Sequence, residues 1–250
     1  MRIAVLADIH GNLPALDAVL ADVDRAGVDA IILAGDVAAG PMPVATLDRL
    51  AERSDVLASV MGNGDREMVE AFDAIDAGGR PQPRFHVIAW AAEQLDRAHR
   101  DVLAAYVPTV TVEVDGIGPT LVCHGSPRDD NEILTTFTGA DRLGPILEVV
   151  DERTIVCGHT HRQFDREVAG HRIVNAGAVG MPYEGDAAAF WALLGPDVEL
   201  RRTAYDVEAA ARTLRAAGLP DVDELMLRES LLEPTEPDAV ARHFEELASR

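Results

Sequence analysis

Five short apolar runs in this chain each end in a glycine-containing turn whose side chains can bind metal. The turns are Asp8-Ile9-His10-Gly11-Asn12, Gly35-Asp36, Gly62-Asn63-Gly64-Asp65, His124-Gly125 and Gly158-His159-Thr160-His161. Imidazole and carboxylate suit divalent transition metals. Two Asp (Asp8, Asp36), one Asn (Asn63) and four His (His10, His124, His159, His161) are too many for one tetrahedral ion. They fit two five- or six-coordinate ions that share a bridge. In extended chain, residues i and i+2 point the same way, so Asp8 with His10 and His159 with His161 make natural pairs. Two ions about 3.5–4 Å apart clamp the attacking and leaving oxygens of a phosphoryl displacement. An Asp is expected to bridge, since its two oxygens can serve both ions. The chemistry expected is in-line attack of a metal-activated hydroxide on a phosphate ester.

Charge sets the substrate. Two divalent ions bring +4, Asp8 and Asp36 subtract 2, and a hydroxide subtracts 1, so the pocket stays locally positive. The chain around it carries 43 acidic and 22 basic residues, a net charge of −21. Screening limits the outer charges to about 8 Å at physiological salt. A small phosphate ester is therefore attracted at short range, and duplex nucleic acid is disfavoured. An anionic membrane surface is disfavoured on the same ground. All the basic residues are Arg. Without Lys there is no Schiff-base chemistry, no pyridoxal-phosphate anchor and no P-loop lysine.

The elements that must hold these turns follow from apolar patterning. Ile3–Ala7, Ala30–Ala34, Val56–Met61, Thr109–Val114, Thr120–Cys123 and Thr154–Cys157 read as strands. Leu13, Leu16, Val19, Leu20 and Val23 follow helical spacing that Gly27 ends, and Val44, Leu47 and Leu50 mark a second helix. This alternation predicts a mainly parallel sheet covered by helices, with the five turns outside the carboxyl ends of its strands. After Gly170, Arg172–Asn175, Ala188–Leu194 and Val198–Arg202 predict antiparallel pairing and a second sheet. Residues 66–107 read as a helical insert with helices at Arg66–Ile75 and Phe85–Arg97 around the breaker 78–83, and Trp90, Leu95 and Val102 read as packing. The expected organisation is a domain over 1–205 and an acidic helical appendage over 206–250, broken at Glu233–Pro237. Cys123 and Cys157 read as buried filler. With no signal-peptide pattern and no run of 18 apolar residues, the expected location is the cytoplasm. His86, His99, His171 and His243 fall outside the blocks and read as structural.

At the five turns the sequence resembles the calcineurin-like metallophosphoesterases, especially their small prokaryotic phosphodiesterase and protein-phosphatase-like members. The blocks Asp8-x-His10, Gly35-Asp36, Gly62-Asn63, His124 and Gly158-His159-x-His161 occur in order, and the resemblance covers about residues 1–194. It implies an α/β fold, a four-layer sandwich of two mixed sheets flanked by helices. It also implies a first ion on Asp8, His10, Asp36 and His161, with Asp36 bridging to a second on Asn63, His124 and His159. Manganese leads the expected ions, with iron, zinc, nickel and cobalt also used in the family. Asp36 and His124 are the implied catalytic residues. Many members carry a His after Gly-Asn that helps the leaving group depart, and here that position is Gly64. Asp65 survives as the acidic partner and is a further candidate, and the missing His predicts a bias towards good leaving groups such as aryl phosphates.

Asn12, Arg128, Asn175 and Gly177 are candidate substrate contacts; guanidinium suits phosphate oxygens. Asn175–Gly180 resembles the family's late Asn-x-Gly-Ser-Val-Gly segment, with Ala178 in place of Ser. Two other functions compete with a mono- or diesterase. One is a non-catalytic scaffold, as this fold serves in the retromer complex. The other is hydrolysis of nucleotides or diadenosine polyphosphates. The sequence leaves the oligomeric state open.

Overall fold

The computed structural model describes residues 1–81 and 86–249. Two five-stranded mixed sheets stack face to face, with helices on both outer faces. The first sheet runs β10-β9-β1-β2-β3 and the second β4-β5-β6-β8-β7. In the first, β1 (Ile3–Leu6), β2 (Ala30–Leu33) and β3 (Val56–Ser59) are parallel, and β9 (Ala189–Leu194) and β10 (Val198–Thr203) join antiparallel. In the second, β5 (Gly118–Val122), β6 (Thr154–Cys157) and β8 (His171–Asn175) are parallel, flanked antiparallel by β4 (Val110–Val114) and β7 (Phe164–Val168).

Alternation along β1 shows how the layers form. Ile3, Val5 and Ala7 face the second sheet, among Val112, Val122, Val156 and Val174. Ala4 and Leu6 face outward onto helix α1 (Leu13–Ala26), whose Leu16, Val19, Leu20 and Val23 are fully buried. Each such buried aliphatic side chain contributes about 1.5–3 kcal/mol of transfer free energy. Helices α2 (Pro43–Ala51), α3 (Asn63–Asp76), α4 (His86–Gln94) and α5 (Arg97–Ala104) extend that outer layer. Helix α6 (Ala140–Leu147) covers the other face with Leu143, Ile146 and Leu147, beside the buried Cys123 and Cys157.

Three expectations change. The ligand turns do not lie along one parallel sheet: β1, β2 and β3 carry three of them and the second sheet carries two. The late strands do not make the second sheet among themselves. β8 joins it in parallel with β6, while β9 crosses back to pair with β1 through Val5↔Ala192. The insert holds three helices, since Asp96 caps a new one by accepting the His99 N–H at 2.9 Å. Phe85, the expected start of the insert's second helix, lies outside the described residues, as do Gln82 and Pro83 of the breaker. Trp90 and Leu95 pack as expected, but Val102 is half exposed.

The C-terminal stretch comprises α7 (Val207–Ala216), a π-helical segment (Asp223–Leu232) and α8 (Pro237–Ala248). Its own apolar cluster of Leu214, Leu219, Met226, Leu227 and Leu231 packs on Met42, Val87, Trp90 and Met181. Among the described residues no helix is long and apolar enough to cross a membrane.

Candidate metal centre

The C-terminal ends of β1 and β2 face those of β5 and β6 across the sandwich, and backbone bonds stitch the turns together. Asp8 N–H donates to Gly35 O at 3.0 Å, His10 N–H to Asp36 O at 2.9 Å, and Gly158 N–H to His124 O at 2.9 Å. The stretch between β8 and β9 crosses from one sheet to the other. Its Val179 and Gly180 N–H groups donate to Ala7 O (3.0 Å) and Asp8 O (2.9 Å). The turns are tight. Among the described residues seven non-glycines have left-handed backbone, and five of them are Asp8, His10, Asp36, His159 and His161. Such conformations cost about 1–3 kcal/mol each and gather at functional sites. Gly158 makes the close approach possible, because a Cβ there would sit 2.6 Å from Asp8 Oδ2.

Three histidines are oriented by the same device. His10 Nδ1 faces Ala39 O at 3.0 Å, His124 Nδ1 faces Ala34 O at 2.8 Å, and His161 Nδ1 faces Met181 O at 2.7 Å. A carbonyl only accepts, so each of these Nδ1 atoms carries a proton and each ring turns its Nε2 towards the centre. Those nitrogens converge. His10 Nε2 and His161 Nε2 are 3.1 Å apart, a repulsive pairing of lone pairs unless a proton or a cation lies between them.

The carboxylates are likewise half committed. Asp8 Oδ2 accepts the His159 N–H at 2.9 Å, while its Oδ1 is buried with no hydrogen-bond partner. That orphan lies 3.2 Å from His161 Nε2, 3.9 Å from His10 Nε2 and 4.0 Å from His124 Nε2. Asp36 Oδ1 accepts the Gly64 N–H at 2.7 Å, and its Oδ2 lies 3.5 Å from His124 Nε2 and 3.7 Å from His10 Nε2. Two groups of candidate ligand atoms result, each within 4.8 Å: Asp8, His10 and His161, and Asp8, Asp36 and His124. Asp8 belongs to both, and Asp36 Oδ2 stands between His10 and His124. Each carboxylate thus has one oxygen tied to a backbone N–H and one turned to the histidines. Asn63 Oδ1 faces His124 Nε2 at 3.2 Å, and the His159 ring stands edge-on to His124 with centroids 5.1 Å apart.

Electrostatics favour a cation here. Burial alone would push both Asp8 and Asp36 up, yet His161 acting on Asp8 and His124 acting on Asp36 hold them below the ordinary carboxylate range. Burial pulls His124 down, but Asp36 and Asp8 outweigh it and hold it at about 10. Burial and then the charge of His124 lower His159 to about 4, and burial and then His161 lower His10. A divalent ion binding here would displace protons from the cluster. The orphaned oxygen, the converging Nε2 atoms and the carbonyls behind each Nδ1 fit such an ion.

Other candidates are spent on structure. Asn12 caps α1, accepting the Ala15 N–H at 3.1 Å and donating to Gly180 O at 2.9 Å. Asn175 donates to Gly158 O (2.6 Å) and Thr160 Oγ1 (3.1 Å) and accepts the Gly177 N–H (2.8 Å). Both are fully buried. Gly177, at φ +77°, packs against Gln163 and Phe190. These three residues brace ligand turns. Arg128 is engaged by Glu132 through Nε (2.9 Å) and Nη2 (2.6 Å). Asp65 accepts N–H groups from Val37 (2.9 Å), Gly62 (3.2 Å) and Ala38 (3.4 Å), so it pins α3 to the Asp36 turn. Burial and then Asp36 push it to about 7. A Cβ at Gly64 would lie 3.0 Å from both Ala39 Cβ and Asp36 Oδ1, so the turn has closed over the space a side chain needs. Sequence reasoning missed the carbonyls of Ala34, Ala39 and Met181, which no residue type announces. It also missed Tyr183, an aromatic two residues beyond Met181.

Comparison with known proteins agrees with this architecture. The calcineurin-like phosphoesterase superfamily domain matches residues 1–194. A metallophosphoesterase from Sphaerobacter thermophilus is 28% identical, with a TM-score of 0.67, covering 88% of this chain and 95% of that one. A hypothetical protein from Pyrococcus horikoshii OT3 has a TM-score of 0.75 at 20% identity, over 90% and 97%. An uncharacterised protein of Methanocaldococcus jannaschii is 23% identical over 240 residues, 88% of this chain and 94% of its own. With the family's domain spanning most of the chain and the same two mixed sheets beneath it, the protein belongs to the calcineurin-like phosphoesterase superfamily.

Proposed function

We propose that this chain hydrolyses small phosphate mono- or diesters with two divalent ions. Asp8, His10, Asp36 and His161 would hold one ion, and Asn63, His124 and His159 the other, with a carboxylate shared between them. The observation that carries the reading is the convergence of three His Nε2 atoms on the orphaned Asp8 Oδ1. Bound ions of this kind lower the pKa of a water and neutralise charge that develops on phosphoryl oxygens. The chain's part is preorganisation. Backbone carbonyls fix the imidazoles of His10, His124 and His161, and backbone N–H groups fix each carboxylate before substrate arrives. Asp8 and Asp36 offset only half the charge of two divalent ions, which favours a small anionic ester. The exterior of net −21 disfavours a duplex.

The leaving group is served poorly. Gly64 brings no side chain, Asp65 is spent on backbone N–H groups, and Arg128 is paired with Glu132. General acid catalysis contributes about 10²–10⁴-fold, so esters that depart without a proton, such as aryl phosphates, are the favoured class.

The test is metal-stripped protein reloaded with one ion at a time, manganese first, and assayed on aryl and alkyl mono- and diesters. Two ions bound and aryl esters cleaved at least about 10²-fold faster than alkyl esters is the expected result. Two ions bound without turnover of any ester would return the chain to the scaffold reading.

A further inference from the structure

Helix α8 lies outside the matched stretch 1–194, yet it reaches the metal centre. The Tyr183 ring stacks on the His161 imidazole, with centroids 5.2 Å apart and planes 15° apart, and its N–H donates to His161 O at 3.0 Å. Phe244 of α8 leans on Tyr183, with centroids 6.3 Å apart and planes at 48°. The helix is fastened on both sides of this contact. Asp238 pairs with Arg162, the residue after His161, at 2.7 Å. Glu245 accepts from Thr135 (2.6 Å), Thr138 and Arg142 (2.9 Å), on the stretch that follows the His124 turn.

His161 needs such a support. Its hydrogen bond to Met181 O fixes one edge of the ring but leaves the plane free to tilt about that bond. The direction of the Nε2 lone pair depends on that plane, and Nε2 must meet Asp8 Oδ1 and His10 Nε2 at 3.2 and 3.1 Å. A stacked ring, itself wedged by a helix, removes that freedom.

We propose that α8 is a positioning element of the metal centre, acting through Phe244 and Tyr183 on the plane of His161. Its effect falls on the ion that Asp8, His10, Asp36 and His161 would hold. The Asn63, His124 and His159 side makes no such stack among the described residues. This rests on the reading of the cluster as a dimetal site.

The experiment is titration of the metal-stripped full chain with manganese, counting free ion by electron paramagnetic resonance. Tyr183→Ala should weaken one of the two sites about 10-fold or more and leave the other unchanged, the scale of a lost supporting contact around a metal ligand. Phe244→Ala should weaken the same site by less. Tyr183→Phe should bind as the unaltered protein does, because the ring and not the hydroxyl makes the stack. Arg242→Ala, on the same helix but set over Phe137, should change neither site. If Tyr183→Ala does not fold, Tyr183→Leu, which keeps bulk without a ring plane, takes its place. Unchanged binding in the Tyr183 and Phe244 variants overturns the proposal and leaves the dimetal reading standing, as does equal weakening of both sites. An unaltered protein that takes up no manganese, nor any other divalent ion, overturns both.

Discussion

Charge is treated in opposite ways at the rim of the sheets and on the outer shell. On the shell, acidic groups are matched by arginines: Arg53 sits between Asp24 and Asp55, Arg172 between Asp165 and Asp197, and Arg202 against Asp186. At the rim, Asp8 and Asp36 are buried with no arginine paired to them among the described residues, and strained backbone presents their oxygens to one another's histidines. A chain of net −21 could have satisfied the rim as it did the shell. Exposed pairs contribute little, about 0–1 kcal/mol each. Unmatched buried carboxylates cost several kcal/mol unless something neutralises them. The contrast separates groups kept for solubility and modest stability from groups kept, at the expense of stability, for a ligand.

Three experiments sharpen or break that contrast. Asp36→Asn removes the charge and leaves the shape. Turnover should fall by about 10³-fold or more with far-ultraviolet dichroism unchanged, and an undiminished rate would remove Asp36 from the mechanism. Asn175→Ala cuts the brace under the His159 turn and leaves the Gly158 carbonyl and the Gly177 N–H without their partner. Urea unfolding should show a loss of about 1–3 kcal/mol, accompanied by weaker metal binding. A changed KM at full stability would instead restore Asn175 as a substrate contact. The smallest effect belongs to the shell. A double-mutant cycle on Arg202 and Asp186 should give a coupling below about 1 kcal/mol with turnover unchanged. A coupling of several kcal/mol there would erase the distinction between the two regions.

The candidate ligands were legible because their types are rare and their spacing repeats: carboxylate, imidazole and amide after a short apolar run, beside glycine. The parts that failed to show have physical causes. Strand β7 (Phe164–Val168) is an edge strand whose outward positions carry Asp165 and Glu167, so its apolar signal is thin. The turn to β8 uses left-handed Ala169 as well as Gly170, which residue type alone does not announce. Helix α6 contains Gly144 and Pro145, which read as breakers. Asn12, Asn175 and Asp65 have the chemistry of substrate contacts, and only their backbone partners reveal that they hold turns in place.

The sequence by itself determined which side chains can grip a metal and that they follow strands, because residue type and local periodicity are written into it. It also determined that no lysine-based chemistry operates. Tertiary structure alone decided which strands join which sheet, that backbone carbonyls lock a proton on Nδ1 of His10, His124 and His161, and that α8 packs on Tyr183 behind His161. Those outcomes depend on which distant segments meet. Backbone donors and acceptors are the same at nearly every position, so no reading of residue types could have said where they would be used.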